Sequence, residues 1–294
     1  MNKKNNMKAW LYLLPAILFL GVFMIYPLVD VCLYSVEENY ASIARTYTGI
    51  GLGNFRDVLS DELFIDALRN TFILVIITVP VSTGLSLLIS LGLSSIKALK
   101  KAFQTIYFLP YVTNTLAVGL VFLILFDKTE YTRGLVNMLL GTDVDFIDGD
   151  YWMKMMVTCL YTVWIVMPFK ILILTSALAS VNQDYYKAAR VDGASSARIF
   201  RKITLPMISP TVFYLIITGF IGAFKAYSDE VALFGTNLNA AGMNTIVGYV
   251  YDMLYSDTGG RYGNAAAAAL ILFAIVFTIT FINLKFSRNK VQYM

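Results

Sequence analysis

Residues 181–210 read VNQDYYKAARVDGASSARIFRKITLPMISP, a polar and mostly basic stretch that lies between two strongly apolar runs. Within it, Asp184 can cap a short helix that continues through Val191. Asp192–Gly193 then predicts a turn, because glycine adopts positive φ without strain and the Asp side chain can accept N–H bonds from a following helix. The stretch therefore predicts a short helix, a glycine turn and a second helix.

The second predicted helix has an apolar stripe of three residues, Ala197, Phe200 and Ile203, and we expect it to end at Leu205–Pro206. Two small helices that cross at a glycine would form a rigid knob. The alternative is an ordinary linker whose basic residues only fix the membrane topology. Topology requires positive charge but neither a glycine turn nor a spaced apolar stripe, so we favour the knob.

The overall composition places the chain in a membrane. Hydrophobic residues make up 58% of the 294 residues and charged residues 14%, and the mean hydropathy is +0.67. A soluble domain of this size would expose much of that apolar surface to water. The two cysteines, Cys32 and Cys159, lie in apolar runs without metal-ligand or redox spacing, so we interpret them as small hydrophobic residues.

Six apolar runs are long enough to cross a hydrocarbon core, which needs roughly 20 helical residues. The predicted spans are residues 10–33, 71–93, 104–126, 153–177, 207–227 and 262–284. The first run is too long for the apolar region of a cleavable signal peptide, so we expect an uncleaved span. The predicted fold class is an all-α integral membrane protein with a single transmembrane domain over residues 1–294.

The distribution of charge orients these spans. With both termini in the cytoplasm, the inner segments hold most of the lysines and arginines, and their only acids are Asp184 and Asp192. The inverted chain would place the basic loops outside, against the positive-inside rule. We therefore expect residues 181–206 on the cytoplasmic side.

The loop also resembles a known family. It is similar to the EAA loop of binding-protein-dependent ABC importer permeases of the carbohydrate-uptake, maltose-type family at Ala188–Ala189, Asp192–Gly193–Ala194, Phe200, Ile203 and Leu205–Pro206. The resemblance implies the type I ABC importer permease fold, with six transmembrane helices and a cytoplasmic coupling-helix loop. It also implies that this loop docks into a groove on a separate ATPase subunit.

The resemblance assigns eight loop residues to the ATPase-coupling interface. They are Tyr186, Lys187, Ala188, Ala189, Asp192, Gly193, Ala194 and Phe200. The sequence departs from the family at Lys187, where the family has a glutamate. We hypothesise that Lys187 faces an acidic or neutral patch of the ATPase.

Other segments support the same resemblance, among them GIGLGNFRDVLSDELFIDALRNT at residues 49–71, YFLPY at 107–111 and YGNAAAAA at 262–269. The first of these also suggests short amphipathic helices near the outer interface, one around Phe55, Val58 and Leu59 and another at residues 63–68. Such helices either lie in the membrane interface without a specific partner or form a contact surface for a partner protein. Pro110 lacks an N–H group and should kink the third span.

The resemblance further implies a substrate pathway, because positions equally spaced from the loop motif line the sugar site in maltose-type permeases. Here these positions are Thr162, Ile165, Val166 and Phe169 of the fourth span, with Gly219, Gly222, Ala223 and Ala226 of the fifth. From the residues alone, the small side chains of the fifth span favour close helix packing.

Lys170 is an ionisable residue inside the fourth predicted span. Such residues are functional candidates, but Lys170 lies about a turn or two from the inner end, and its long stem allows snorkelling. We favour snorkelling over a place in the pathway. Trp164 and Phe169 offer aromatic faces that suit sugar rings, although packing is the commoner role of aromatic residues in membrane helices.

The sequence lacks the motifs of a self-sufficient pump or enzyme. It has no histidine, no G-x-x-x-x-G-K-[ST] phosphate loop and no carboxylate at the middle of a span. The acidic residues between Asp143 and Asp150 do not fit a calcium loop, because the required Gly and Glu positions hold Asp148 and Lys154. We therefore expect no catalytic or metal-binding residues, no cofactor bound by this chain, and ATP–Mg only in a partner ATPase.

The sequence thus predicts the permease subunit of an ATP-driven importer that passes a sugar or oligosaccharide inward by alternating access. The implied partners are a second homologous permease in a heterodimer, two ATPase subunits, an extracytoplasmic sugar-binding protein and membrane lipid, with no nucleic acid. We expect a multi-pass protein of the bacterial cytoplasmic membrane with both termini cytoplasmic. Two alternatives stay open: an ABC permease for glycerol phosphate or a polyol, and an ATP-independent secondary carrier.

Overall fold

A computed structural model describes residues 3–40, 46–96, 100–128, 133–255 and 261–290, and these are almost entirely helical. In chain order the helices are α1 (Lys3–Leu20), α2 (Tyr26–Val36), α3 (Gly53–Ser60), α4 (Glu62–Ser95), α5 (Lys100–Val112), α6 (Thr115–Phe126), α7 (Leu135–Leu140), α8 (Tyr151–Ser180), α9 (Gln183–Val191), α10 (Ser196–Ile199), α11 (Leu205–Ala223), α12 (Ser228–Phe234), α13 (Leu238–Ala241), α14 (Ile246–Leu254) and α15 (Tyr262–Lys290).

Two turns of π-helix join neighbouring helices, Gly21–Ile25 between α1 and α2, and Phe200–Thr204 between α10 and α11. Two antiparallel strands, β1 (Glu37–Glu38) and β2 (Gly49–Ile50), form a short ribbon. The prediction of an all-α architecture is therefore confirmed.

Five helical runs in the described part of the chain are long and apolar enough to cross a membrane. They are Trp10–Val36, Glu62–Ser94, Tyr151–Ser180, Ser196–Ala223 and Tyr262–Lys285. Each overlaps one of the predicted spans. The remaining predicted span, residues 104–126, corresponds to two shorter helices, α5 and α6.

The third predicted span is interrupted at Asn114. Pro110, where we expected a kink, lies inside α5, which continues to Val112. Asn114 then has an extended backbone, and its side-chain carbonyl accepts a hydrogen bond from the Leu116 amide at 2.8 Å. An asparagine cap of this kind starts a new helix. The expectation of one continuous helix kinked at the proline is therefore wrong.

The chain separates into two compact units, Met1–Ile65 with Tyr249–Ala274 and Asp66–Gly248 with Ile275–Met294. In the first unit, Asn54 holds the end of α2, since its Nδ2 donates to the carbonyls of Ser35 and Glu37, both at 3.0 Å. Carbonyls at a helix C-terminus have no partner within the helix. Gly263 has no side chain and so leaves space for the Asn54 amide, because a Cβ at residue 263 would lie 2.6 Å from Asn54 Nδ2. The motifs around Asn54 and Gly263 are therefore in contact.

The start of α3 is fixed by Glu38, whose Oε1 accepts a hydrogen bond from the Gly53 amide at 2.9 Å. This helix is one of the short helices predicted within residues 49–71. The separate helix expected at residues 63–68 is wrong, because α4 runs without a break from Glu62 to Ser95. Asp61 caps its start by accepting a hydrogen bond from the Leu63 amide at 3.0 Å.

In the second unit, α6, α8 and α12 pack around one apolar cluster. Its buried members are Val118, Phe126, Phe146, Val157, Tyr161, Ala232 and Leu233. Gly119 lets α6 and α12 approach closely, because a Cβ there would lie 2.6 Å from Ala232 Cβ. The Tyr161 hydroxyl donates to the Thr115 carbonyl at 2.7 Å, so α8 also holds the first turn of α6.

Asn70 ties α4 to the segment between α13 and α14. Its Nδ2 donates to the carbonyls of Gly242 at 3.0 Å and Asn244 at 2.9 Å. Its Oδ1 accepts a hydrogen bond from the Tyr151 hydroxyl at 2.8 Å. The ALRNT motif that supported the resemblance is therefore a structural tie within this unit.

Candidate functional site

A cavity lies in the second unit. Its volume of about 280 Å³ is near the lower end of the usual range for small-ligand pockets. All eight residues predicted for the substrate pathway line it. They are Thr162, Ile165, Val166, Phe169, Gly219, Gly222, Ala223 and Ala226. Helices α8 and α11 and the residues just after α11 thus form two of its walls. That these residues bind a substrate stays a prediction.

Sequence analysis missed the remaining wall residues of the cavity. They are Thr78, Val79 and Ser82 of α4, Tyr111 of α5, Leu215 and Thr218 of α11, and Asp229 of α12. Lys170, for which we favoured snorkelling over a place in the pathway, also lines the cavity. One signal would have pointed to α4: Ser82, Ser86 and Ser90 recur every four residues inside an apolar run. Ser86 and Ser90 donate to the carbonyls of Met167 and Ile171, so this polar stripe packs α4 against α8.

Lys170 is buried beside the cavity, with only 5% of its surface exposed. Its Nζ donates to Ser82 Oγ at 2.7 Å and to Thr83 Oγ1 at 2.9 Å. The snorkelling interpretation is therefore wrong, because the ammonium is held between helices. Gly219 permits this, since a Cβ there would lie 3.4 Å from Lys170 Nζ and 3.2 Å from Val79 Cγ1.

The two aromatic residues that we considered for sugar stacking have different surroundings. Phe169 lines the cavity and stacks on Tyr111, with ring centroids 5.5 Å apart and planes 20° apart. Trp164 instead lines a separate apolar groove with Pro110 and Ile171. The stacked rings of Tyr111 on α5 and Phe169 on α8 are therefore available to a ligand in the cavity, whereas Trp164 is not.

Two acidic residues of α12 lie at or near the cavity. Asp229 lines it, whereas Glu230 is fully buried, and neither Glu230 carboxylate oxygen has a hydrogen-bond partner among the described residues. Burial raises the pKa of both carboxyl groups above the usual range. Lys170 and Asp229 thus both line the cavity, and the carboxyl group of Asp229 has an elevated pKa.

The acidic segment after α7 uses its carboxylates locally. Asp143 pairs with Arg133 at 3.2 Å and Lys128 at 3.6 Å, and Asp145 Oδ1 accepts hydrogen bonds from the amides of Ile147 and Asp148. Within the residues that the structure describes, no group of three potential metal ligands occurs.

The loop of residues 181–206 contains the predicted glycine turn. Gly193 has φ +72°, a conformation that favours glycine. The caps differ from the prediction, because Asn182 rather than Asp184 caps α9, accepting the Asp184 amide at 2.9 Å. Ser195, rather than Asp192, caps α10, because its Oγ accepts a hydrogen bond from the Arg198 amide at 3.4 Å.

The second loop helix does not end at Leu205–Pro206. It continues from α10 through the π-helical turn Phe200–Thr204 into α11, so one helical run extends from Ser196 to Ala223. Pro206, the second residue of α11, lacks an N–H, and the preceding π-turn lets the helical run continue through it. The expected independent knob is therefore wrong at this end, because its second helix is continuous with the fifth span.

Most residues predicted for the ATPase-coupling interface lie at the loop surface. Lys187, Ala188, Asp192 and Gly193 are exposed, and Ala189, Ala194 and Phe200 are half-buried. Tyr186 is turned inward, with its hydroxyl 3.2 Å from Thr204 Oγ1 and its ring against the cluster of Leu178, Val181 and Ile208. Val191, which we did not select, is 87% exposed.

Lys187, the residue that departs from the family pattern, has a partner inside the loop. Its Nζ lies 2.9 Å from Asp184 Oδ1, one turn earlier on α9. Both side chains are largely exposed, so this pair contributes little to stability. It nevertheless directs the lysine along the outer face of α9.

Comparison with known proteins identifies the family. Residues 82–291 match the family described as binding-protein-dependent transport system inner membrane component. The chain belongs to this family. Its several apolar helices agree with a multi-pass membrane protein.

Individual relatives cover nearly the whole chain. The probable ABC transporter permease protein MG188 of Mycoplasma genitalium is 30% identical over 91% of this chain and 82% of its own length. The lactose transport system permease protein LacF of Rhizobium radiobacter is 26% identical over 97% of this chain and 95% of its own.

A solved structure shows the same fold. A chain in the crystal structure of a bacterial alginate ABC transporter, in complex with an alginate pentasaccharide-bound periplasmic protein, is 23% identical and superposes with a TM-score of 0.83. The match covers 99% of this chain and 98% of that chain. The fold is therefore that of an ABC importer permease.

Proposed function

We propose that this chain is the permease subunit of an ATP-driven importer that passes a sugar or oligosaccharide inward. The observation that carries the proposal is the cavity, where the eight residues selected from the sequence meet around one space. Its hydroxyls from Thr78 and Thr162 can exchange hydrogen bonds with a sugar, and the Tyr111–Phe169 pair offers an apolar face. Small residues on α11 leave room for the ring.

Saccharide cargo is supported by the lactose permease among the relatives and by the alginate transporter that shares the fold. The alginate transporter is in complex with a periplasmic protein that holds an alginate pentasaccharide, which supports delivery of the cargo here by a soluble extracytoplasmic binding protein. A cargo that carries phosphate is the second candidate, because Lys170 places a positive charge beside the cavity. Membership of a binding-protein-dependent family does not support the alternative of an ATP-independent carrier.

We propose that the loop of residues 181–206 docks into one of the importer's two ATPase subunits and couples this chain to ATP hydrolysis. Its exposed residues, including Lys187 and Val191, would enter the ATPase surface, whereas Tyr186 anchors α9 to the membrane helices. Because α10 is continuous with α11, a displacement of the loop moves a cavity wall directly. ATP–Mg would be bound by the ATPase, and this chain would bind no cofactor and catalyse no reaction.

A second homologous permease would complete the pathway as a heterodimer. The first span supports this, because none of the residues in its most apolar window, within Trp10–Val36, is buried in this chain. A membrane helix that buries none of these residues within its own chain contacts either lipid or another subunit there. The basic loops support a location of both termini in the cytoplasm of a bacterium, with the chain in its cytoplasmic membrane.

The mechanism that follows is alternating access driven from the ATPase side. ATP-driven closure would move the loop, and the continuous helix from Ser196 to Ala223 would carry that movement to Gly219 and Gly222. The cavity would then open alternately outward and inward.

The test is co-purification followed by reconstitution into liposomes. We expect the tagged chain to bring down an ATPase and a second permease, and the complex to take up saccharide only with ATP and a loaded binding protein. Uptake by the isolated chain without ATP would contradict the proposal.

A further inference from the structure

Lys170 places a positive charge in the cavity wall without an acidic partner. Its ammonium has three N–H donors, and two of them bond to the neutral hydroxyls of Ser82 and Thr83. Among the residues that the structure describes, no carboxylate forms an ion pair with it. Asp229 lines the same cavity, but it forms no salt bridge with Lys170.

Burial makes this arrangement costly unless something balances the charge. A buried charge is normally paired, because hydroxyl groups replace only part of the hydration that an ammonium loses. The lysine is 5% exposed, so water supplies little of that compensation. The cavity itself provides the space in which a counter-charge can enter.

The position of the ammonium is also fixed. Ser82 and Thr83 hold it from α4, and the missing side chain at Gly219 lets it lie against α11. A fixed donor loses little entropy when a ligand binds, which is the condition for a specific contact. Because Lys170 lines the cavity and an ammonium has three N–H donors, it can donate a further hydrogen bond to a ligand there.

We propose that Lys170 is a specificity-determining residue that makes the cavity prefer saccharides or polyols carrying an oxyanion, either a carboxylate or a phosphate. This inference rests on the proposed importer function and narrows its cargo. A charge-assisted hydrogen bond to an oxyanion is stronger than one to a neutral hydroxyl. A neutral saccharide would bury the lysine further without balancing its charge.

The experiment uses a thiol as a reporter inside the cavity. Gly222→Cys suits this purpose, because Gly222 lines the cavity and nothing lies within 4 Å of an added Cβ. The two native cysteines are removed as C32S and C159A. The rate of maleimide labelling is measured on the complex with its second permease and ATPase, without ATP or binding protein.

Three probes separate the chemistries. Trigalacturonate carries carboxylates, maltotriose is a neutral trisaccharide of the same length, and sn-glycerol 3-phosphate carries a phosphate. We expect one or both of the anionic probes to slow labelling about tenfold at a concentration where maltotriose has little effect. Protection by trigalacturonate alone identifies a carboxylate cargo, and protection by the phosphate alone identifies a phosphate cargo.

Substitutions at Lys170 decide whether this lysine causes the protection by the anionic probes. Lys170→Met and Lys170→Gln should abolish protection by the anions, whereas Lys170→Arg, which keeps the charge, should retain most of it. Lys154→Met is the matched control, because Lys154 lies on the same helix but donates to the Ala241 carbonyl and does not line the cavity. It should leave protection unchanged.

Three outcomes would overturn the inference. They are equal protection by maltotriose, protection by the anions that survives in both Lys170→Met and Lys170→Gln, and failure of both anions to protect. ATP-driven uptake by the same complex is measured separately with its loaded binding protein. Normal uptake with no anion protection rejects the selectivity of Lys170 but leaves the importer function intact. Failure to bind an ATPase rejects the proposed function itself.

Discussion

The cavity and the loop of residues 181–206 are built in opposite ways. The loop is one continuous segment, largely exposed, and its shape depends on residues adjacent in sequence, such as Asn182, Gly193 and Ser195. The cavity collects side chains from five helices between Thr78 and Asp229, and its lysine is buried. We infer that energy coupling depends on local backbone geometry, whereas cargo chemistry depends on how distant helices pack.

The largest expected effect comes from Gly193→Pro. Proline fixes φ near −65°, whereas Gly193 has φ +72°, so α9 and α10 cannot keep their present arrangement. We expect ATP-driven uptake and binding-protein-stimulated ATPase activity to be abolished, with normal membrane insertion. Proteoliposome uptake and detection in the membrane fraction measure the two properties.

The matched control is Gly141→Pro, which removes another left-handed glycine, with φ +63°, at the end of α7. It should reduce stability but leave the coupling of the folded fraction intact. Normal uptake by Gly193→Pro would contradict the coupling role of the loop.

The next effect concerns the cavity and should leave the loop intact. In Gly219→Ala, the new methyl group would lie 3.2 Å from Val79 Cγ1 and 3.4 Å from Lys170 Nζ, so the wall must shift or the lysine must move. Overpacking of this kind costs about 1–3 kcal/mol. We expect uptake to fall about tenfold while the ATPase still co-purifies.

Gly84→Ala is the control on α4, because nothing lies within 4 Å of a Cβ there and Gly84 does not line the cavity. It should leave uptake unchanged. An equal loss of uptake in Gly84→Ala and Gly219→Ala would show that any added methyl group in these helices impairs transport. The result would then give no support for a role of the cavity in transport.

A smaller effect is expected from removing helix caps in the two regions. Asn182→Ala and Asn114→Ala each delete a side chain that accepts a backbone N–H, at 2.9 and 2.8 Å. Loss of such a cap costs about 1 kcal/mol. We expect Asn182→Ala to lower stimulated ATPase activity severalfold with little change in melting temperature, because the largely exposed α9 can open locally without unfolding the membrane helices.

Asn114→Ala should do the reverse, lowering the melting temperature by a few degrees while coupling persists. Thermal melts and ATPase assays on the same preparations make the comparison. If both variants affect the same property, the separation between loop and membrane helices is incorrect.

The smallest effect should come from Lys187→Glu. The substitution exchanges an exposed ion pair with Asp184 for two neighbouring carboxylates, so stability should hardly change. We expect modestly slower uptake with the native ATPase, because Lys187 is predicted to face an acidic or neutral patch. Faster uptake by Lys187→Glu would show that this complementarity is wrong.

The loop was largely predictable because its determinants are local. The left-handed glycine at 193 and the end of α9 at Val191 follow from the conformational preferences of a few consecutive residues. The choice of cap was wrong because Asn182 and Asp184 are both good capping residues, and only the backbone path distinguishes them. The continuity of α10 with α11 was missed because Pro206 resembles a stop signal, although a preceding π-turn lets the helix pass.

Lys170 shows the opposite case. Its distance from the helix end made snorkelling plausible, since a sequence gives the reach of the stem but not the neighbours of the ammonium. The acceptors lie at Ser82 and Thr83, almost ninety residues away in sequence, and come close only when α4 packs on α8. The interruption at Asn114 was missed for a related reason, because an apolar run long enough to span a membrane hides a single cap within it.

The sequence by itself determined the membrane class, the glycine turn and the family resemblance, because composition and backbone preference act over short distances. The resemblance in turn implied the two stripes, on α8 and at α11, that line the cavity. Only the tertiary structure decided that these stripes meet α4, that Lys170 turns inward between its hydroxyl partners, and that Tyr186 anchors the loop. Those features depend on contacts between residues far apart in the chain, and packing alone selects which of them form.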